Sequence, residues 1–269
     1  RDVERSRGLG DVYKRQVFIK MSKIIAIMLL LCCGMMLFGC ADDNGRRKAE
    51  QQKTIVVTDS VGRKVELPYP LERVAVCNVY NAELITAVGA IDKIVGVDNY
   101  IFKDQSGFKN RFNEAQVFGI SQNAMNYEKL AELAPQAVII TGEGTWRDAQ
   151  EMLDRFGIKV IVINSYYTDQ FADNCRLIGR IFGREEQAEE LVNYFNDKLA
   201  YIQKQLQGVP RRSLYFEYRT LGKTAVPGDY FYKMVEYSGA DNIFAAAKGS
   251  QVDQEAIIEK DPQYIVKVA

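Results

Sequence analysis

Ala87-Val88-Gly89-Ala90-Ile91-Asp92-Lys93-Ile94-Val95-Gly96-Val97 is the stretch on which the fold turns. Its first two residues close a helix expected from about Asn81, Gly89 offers the left-handed cap that ends it, and Lys93 to Val97 reads as a strand. Similar units lie on either side. Arg73 to Cys77 is an apolar strand ahead of the helix. Downstream come a helix-like stretch near Asp104 to Phe112, a strand at Gln116 to Phe118, and a helix from Tyr127 to Leu133 with Asn126 as N-cap. A strand at Ala137 to Thr141, a helix capped by Thr145 and closed after Phe156 by Gly157, and a strand at Lys159 to Ile163 complete the run. Continuous apolar strands separated by helices predict an α/β lobe: a parallel sheet covered on both faces. Before it, Thr54 to Asp59, the turn Ser60-Val61-Gly62 and Arg63 to Leu67 predict a hairpin.

The period changes at Glu185. Ala188, Leu191, Val192, Phe195, Leu199, Ile202 and Leu206 recur at three- and four-residue steps. They predict one helix to Gln207, about 35 Å long, ended by Gly208 and Pro210. A helix of that length can join two lobes. Beyond it a second alternation begins: a strand at Ser213 to Glu217, helices at Tyr230 to Tyr237 (capped by Gly239) and Asp253 to Glu259, and a strand at Tyr264 to Val268. The expected organisation is a first lobe at 54–183, a backbone helix at 184–208 and a second lobe at 209–269, truncated because the sequence stops as a strand is forming.

The amino-terminal region reads differently. Met21-Ser22-Lys23 leads into the apolar run Ile24 to Phe38, which ends in Leu37-Phe38-Gly39-Cys40. A positive end, an apolar stretch too short for a comfortable span and a small residue before the cut predict a secretory signal at 21–39. Leu37 to Cys40 resembles the lipobox of bacterial lipoproteins, which implies a lipid on Cys40 and attachment to the cell membrane from outside the cytoplasm. Residues 41 to 53 are polar, without an apolar period, and are expected to form a flexible tether. Residues 1–20 precede Met21 and are set aside as read-through or a cloning scar. Asp42-Asp43 reads as tether polarity, since no further metal ligands converge there.

Composition bounds the function. The chain holds 35 basic and 35 acidic residues, but residues 1–39 take seven of the first and three of the second, leaving 28 against 32. A slightly acidic mature chain without a basic tract is not that of a nucleic-acid binder. Histidine is absent, which removes His-dependent nucleophile systems and His-ligated zinc or haem. Of the cysteines that outlast a signal peptide, Cys40 is the lipid acceptor, while Cys77 on a strand and Cys175 on a helix are compatible with either a disulfide or two buried thiols.

Five segments, in order, carry a family resemblance: Val57 to Val65 with Glu72 to Val76; Ala87 to Val97; Met125 to Leu130 before Pro135; Ser238-Gly239-Ala240-Asp241-Asn242-Ile243; and Val252-Asp253-Gln254-Glu255 before Asp261-Pro262. From about residue 54 onward the chain resembles the substrate-binding proteins of bacterial ABC importers for ferric siderophores, haem and vitamin B12. The resemblance implies a monomeric, two-lobed binding protein without enzyme activity or an intrinsic cofactor. Its ligand would be a metal complex held between the lobes, and its partners an ABC permease and its ATPase. It also implies a docking carboxylate on each lobe: Glu128 on the first, while on the second Lys233 occupies the aligned position and Glu236 is the substitute. Two other readings compete: a chelatase-like enzyme that inserts metal into a tetrapyrrole, and a surface lipoprotein that binds a protein partner.

Ligand residues are expected in loops after the strands, where open parallel sheets bind. The candidates are Tyr80, Tyr100, Trp146, Arg147 and Tyr166 from the first lobe and Tyr218, Arg219 and Tyr230 from the second. Aromatic rings offer flat contact to a macrocycle or catechol, and Arg pairs with the negative charge of a ferric chelate. Gly142-Glu143-Gly144 is half of a dinucleotide fingerprint, but Arg147 stands where the third glycine belongs, so a cleft loop is the better reading. For the anchor, Cys40→Ala is expected to abolish lipid modification, because a single acceptor carries it; labelling with a fatty-acid analogue checks this, and undiminished label in the variant would refute the assignment.

Overall fold

Burial on both faces of a central sheet organises the first lobe, seen in a computed structural model that describes residues 53–268. The signal, Cys40 and the tether up to residue 52 lie outside the described residues. Strands β1 (Thr54–Thr58) and β2 (Lys64–Pro68) pair antiparallel as the expected hairpin. The sheet proper contains β3 (Val74–Val76), β4 (Ile94–Asp98), β5 (Val117–Gly119), β6 (Ala137–Ile140) and β7 (Lys159–Val162), all parallel, in the order β5-β4-β3-β6-β7. Helices α1 (Val79–Ala87), α2 (Asn99–Lys103), α3 (Tyr127–Glu132), α4 (Trp146–Asp154) and α5 (Phe171–Phe182) alternate with the strands.

Strand alternation divides the side chains between two cores. Val74, Val76, Ile139 and Ile161 face α1 and α5, whose Leu84, Ile85, Ile178 and Phe182 bury against them. Ala75, Val138, Ile140, Val160 and Val162 face the other way, onto Leu130 of α3 and Ala149 and Leu153 of α4. Cys77 belongs to the second core and Cys175 to the first; both are buried free thiols. Burial pushes the Cys77 thiol well up and that of Cys175 to about 12.

Helix α6 (Glu185–Gln205) follows α5 through Gly183, whose φ of 64° is the left-handed geometry of a helix C-cap. The two helices approach so closely at Gly179 that a Cβ there would come within 2.9 Å of the Arg184 carbonyl oxygen. Ala188 and Val192 are buried in the first lobe, while Leu206, just past the helix, packs at Gly239 of the second. The second lobe contains β8 (Ser213–Glu217), α7 (Tyr232–Tyr237), β9 (Asp241–Asn242), α8 (Gln254–Lys260) and β10 (Tyr264–Lys267), with its strands parallel in the order β10-β8-β9.

Two local expectations fail. Asp104 to Phe112 is not a helix; the chain instead forms α2 earlier, with the Asp98 carboxylate accepting from Ile101 N–H at 3.0 Å as its N-cap. Asp104 then turns the backbone, since its carboxylate accepts from the N–H of Ser106 at 3.1 Å and of Gly107 at 3.2 Å, a local competitor of helix. Thr145 precedes α4 but makes no capping bond; its hydroxyl turns to the Gln122 carbonyl and the Asn123 amide.

The hairpin is fastened by one buried carboxylate. Asp59 is 5% exposed and accepts from the N–H of Arg63 at 2.9 Å, from its guanidinium at 2.6 and 3.0 Å, and from Val162 N–H at 3.3 Å. Arg63 in turn donates to the Val160 carbonyl at 3.1 Å and to Gln150 of α4. Removing one partner of such a pair strands the other, so Asp59→Ala is expected to cost about 3 kcal/mol or more of stability. Urea unfolding followed by circular dichroism measures it, and an unchanged midpoint would contradict this role.

Candidate ligand cleft between the lobes

Strand order reverses between β3 and β6, because the chain goes from β3 outward to β4 and β5 and then returns to β6 on the other side. The carboxyl ends of strands at such a point leave a crevice. Asn78 leaves β3 with φ 76°; its N–H donates to Asp98 at 3.0 Å and its side chain accepts from Tyr80 N–H at 3.0 Å, starting α1. Asp98 ends β4 at 2% exposure. Burial raises its carboxyl pKa, and hydrogen bonds from the Asn78, Ile101 and Tyr100 amides oppose the rise. After β6, Thr141 donates through its N–H and hydroxyl to Gln122 at 3.0 and 2.8 Å, and Gly142 N–H donates to Asn164 at 2.7 Å. After β7, Ser165 donates to Asn81 at 2.6 Å. Backbone and short polar groups thus hold these loops at fixed positions.

The second lobe answers with the loop after β8. Glu217 accepts from the Tyr215 hydroxyl at 3.0 Å and from Gly222 N–H at 3.1 Å, and pairs with Lys267 at 2.9 Å. Its carboxyl pKa lies below the ordinary value, chiefly through the Lys267 hydrogen bond. This pins the end of β8, and Tyr218, Arg219 and Lys223 face the first lobe across a cavity of about 410 Å³ shared with Tyr80, Glu143 and Tyr166. A larger cavity of about 760 Å³ lies beside it over the first lobe, lined in part by Glu83, Asp98, Tyr100 and Asp104. Asn78, Tyr80 and Glu143 border both, so the two form one cleft.

Tyr80, Tyr100, Tyr166, Tyr218, Arg219 and Tyr230 therefore come together. Tyr166 and Tyr230 meet edge to face across the lobes with ring centroids 5.5 Å apart. Burial raises the pKa of the Tyr166, Tyr218 and Tyr230 phenols; Glu143 adds to the rise at Tyr166 and Asp229 at Tyr218. At neutral pH they are hydrogen-bond donors. Glu128 is exposed in the first turn of α3, whereas Glu236 pairs with Lys233 at 2.6 Å within α7.

Trp146 and Arg147 do not line the cleft. Trp146 opens α4 and turns inward to 8% exposure among Leu130, Ala149 and Leu153. Its ring is held between the guanidinium groups of Arg63, 4.3 Å from the centroid, and Arg147, at 4.2 Å. An aromatic residue at a strand-to-helix loop looks the same in sequence whether it faces the cleft or the sheet. Conversely, Glu83, Asp98 and Lys223 line the cleft without having been named as ligand residues, and Glu143 does so from the loop already expected there; the position of Asp98 at the end of an apolar strand was the available signal. Trp146→Ala is expected to lose about 3–5 kcal/mol of stability, the cost of emptying a core aromatic site. Denaturant titration reads it, and wild-type stability in the variant would remove Trp146 from the core.

Comparison with known proteins agrees with this geometry. The description "Periplasmic binding protein" matches residues 74–268. The chain is similar to the vitamin B12-binding protein of Salmonella typhimurium, 23% identical over 205 residues that cover 74% of this chain and 73% of that protein. It is also similar to the molybdate-binding protein MolA of Haemophilus influenzae, 27% identical over 241 residues, or 78% of this chain and 68% of that one. Among solved structures, a periplasmic solute binding protein from Veillonella parvula superposes with a TM-score of 0.61 at 26% identity, over 80% of this chain and 68% of the other. These are solute-binding proteins, which sets the chelatase-like reading aside. The chain belongs to the periplasmic binding protein family, whose relatives serve ABC importers and are not enzymes.

Proposed function

We propose that this protein, held outside the cytoplasm by lipid on Cys40, captures a ferric siderophore, haem or corrinoid and delivers it as a monomer to an ABC permease and its ATPase. The observation that carries the reading is the ring of Tyr80, Tyr166, Tyr218 and Tyr230 around a cavity that also contains Arg219 and Lys223. Flat rings suit a macrocycle or catechol and the cations suit its carboxylates or its anionic metal centre. Protonated phenols are poor ligands for a bare ion, and among the described residues no group of three or more Asp, Glu, Cys or His side chains is placed to hold one. On this reading the metal arrives inside its own chelate. The aromatic, concave cleft favours a small ligand over a protein partner.

Docking on the permease falls to Glu128, which is exposed and in no ion pair among the described residues, more than to Glu236, which Lys233 already neutralises. One paired experiment tests capture and delivery. Arg219→Ala is expected to weaken an anionic ferric chelate by about 1.5–3 kcal/mol, the scale of a charge-assisted contact, as read by calorimetry. Glu128→Ala is expected to lower uptake by cells at unchanged affinity, since docking charges lie outside the cleft. Equal affinity in Arg219→Ala, or a Glu128→Ala variant that transports normally, refutes the corresponding half.

A further inference from the structure

The two walls of the cleft carry opposite charge. Glu83, Asp98, Asp104 and Glu143 line the larger cavity, all from the first lobe, with Lys103 as the sole basic side chain there. None of these carboxylates is in an ion pair with Lys or Arg among the described residues. Asp98 satisfies its oxygens with backbone amides instead. The pKa of Glu83 is raised by burial and by the nearby charge of Asp104, so the arrangement is one that an incoming positive group relieves. On the facing wall Arg219 and Lys223 are exposed and, among the described residues, in no ion pair, and the carboxylate that borders that cavity among those residues, Glu143, belongs to the first lobe.

The side-chain amides that line the larger cavity have their oxygens engaged. The Gln122 side-chain oxygen accepts from Thr141, that of Asn78 from Tyr80 N–H, and that of Asn123 from the Thr145 hydroxyl. The charged acceptors left open to a ligand are the exposed carboxylates of Glu83 and Glu143. Resting on the cleft assignment above, we infer that the ligand is a metal chelate of divided polarity: its oxygen-rich portion, anionic groups or metal-bound hydroxamate oxygens, lies on Arg219 and Lys223, and an ammonium group or a fringe of amide N–H donors lies on the first-lobe carboxylates. A chelate that is anionic all round, or a bare oxyanion, meets the carboxylates of Glu83, Asp104 and Glu143 on one wall and is disfavoured.

Calorimetric titration of the full chain decides this with five probes: ferrioxamine B, a ferric trihydroxamate ending in an ammonium; cyanocobalamin, fringed with carboxamides; haemin; ferric tris-catecholate; and sodium molybdate. At least one of the first two is expected to bind tightest, which also tells the ammonium source from the amide source. Glu83→Gln combined with Glu143→Gln is expected to weaken that probe at least tenfold and to strengthen the tris-catecholate. Both side chains are exposed, and circular dichroism checks that the variant is folded. Tightest binding of haemin or the tris-catecholate, or a double variant with unaltered preferences, overturns the divided-polarity inference while leaving chelate capture standing. Binding of molybdate alone, or of none of the five, overturns both.

Discussion

The Asp59 carboxylate is the fixed point from which the first lobe is held. It lies in the hairpin turn, yet it accepts from Val162 N–H on β7, while Ser60 N–H donates to the Val162 carbonyl at 2.9 Å. The turn thereby occupies the edge of the five-stranded sheet, which would otherwise present unpaired backbone groups. Through Arg63 the same carboxylate reaches α4, since the guanidinium bonds to Gln150 and lies on the Trp146 ring. Trp146 sets the entry of α4, and the loop just before it contains Glu143. A short chain of contacts thus links the far edge of the sheet to a wall of the cleft.

The cleft follows from the sheet in the same way. Parallel strands bring their carboxyl ends to one side, so residues far apart in sequence, from Asn78 to Tyr166, line a single crevice without any one segment forming it. Each loop is tied back by a polar side chain, buried in Asp98 (loops after β3 and β4) and Glu217 (loop after β8) and half-buried in Gln122 and Asn164 (loop after β6). Polar groups in this protein do structural work beneath the loops, while the tyrosines and exposed charges line the open cleft.

The strands were legible because double-sided burial writes itself as continuous apolar runs: Val74 to Val76 and Ala137 to Ile140 admit no other use. The long helix was legible from its stripe. The segment after β4 was not, since Phe108 and Phe112 suggest a helical face while the Asp104 turn, which decides the backbone, involves only side-chain geometry. At the site, residue type pointed to the tyrosines and Arg219, all of which meet. It misplaced Trp146 because the choice between cleft and core depends on Arg63, 83 positions earlier in the chain. It passed over Glu83, and put Glu143 in a cleft loop without a role of its own, because an exposed acid on a helix or loop is ordinary until its neighbours turn out to lack a counter-charge.

Helix α6 is seated in both lobes, by Ala188 and Val192 at one end and by Leu206 beyond the other. An unbroken helix bends gently rather than folding at a point, so it acts as a strut that keeps the two walls near one separation. The consequence is economy of motion: an empty and a loaded molecule differ little in outline. A membrane partner would then distinguish them less by a change of shape than by the solute's own surface at the mouth of the cleft.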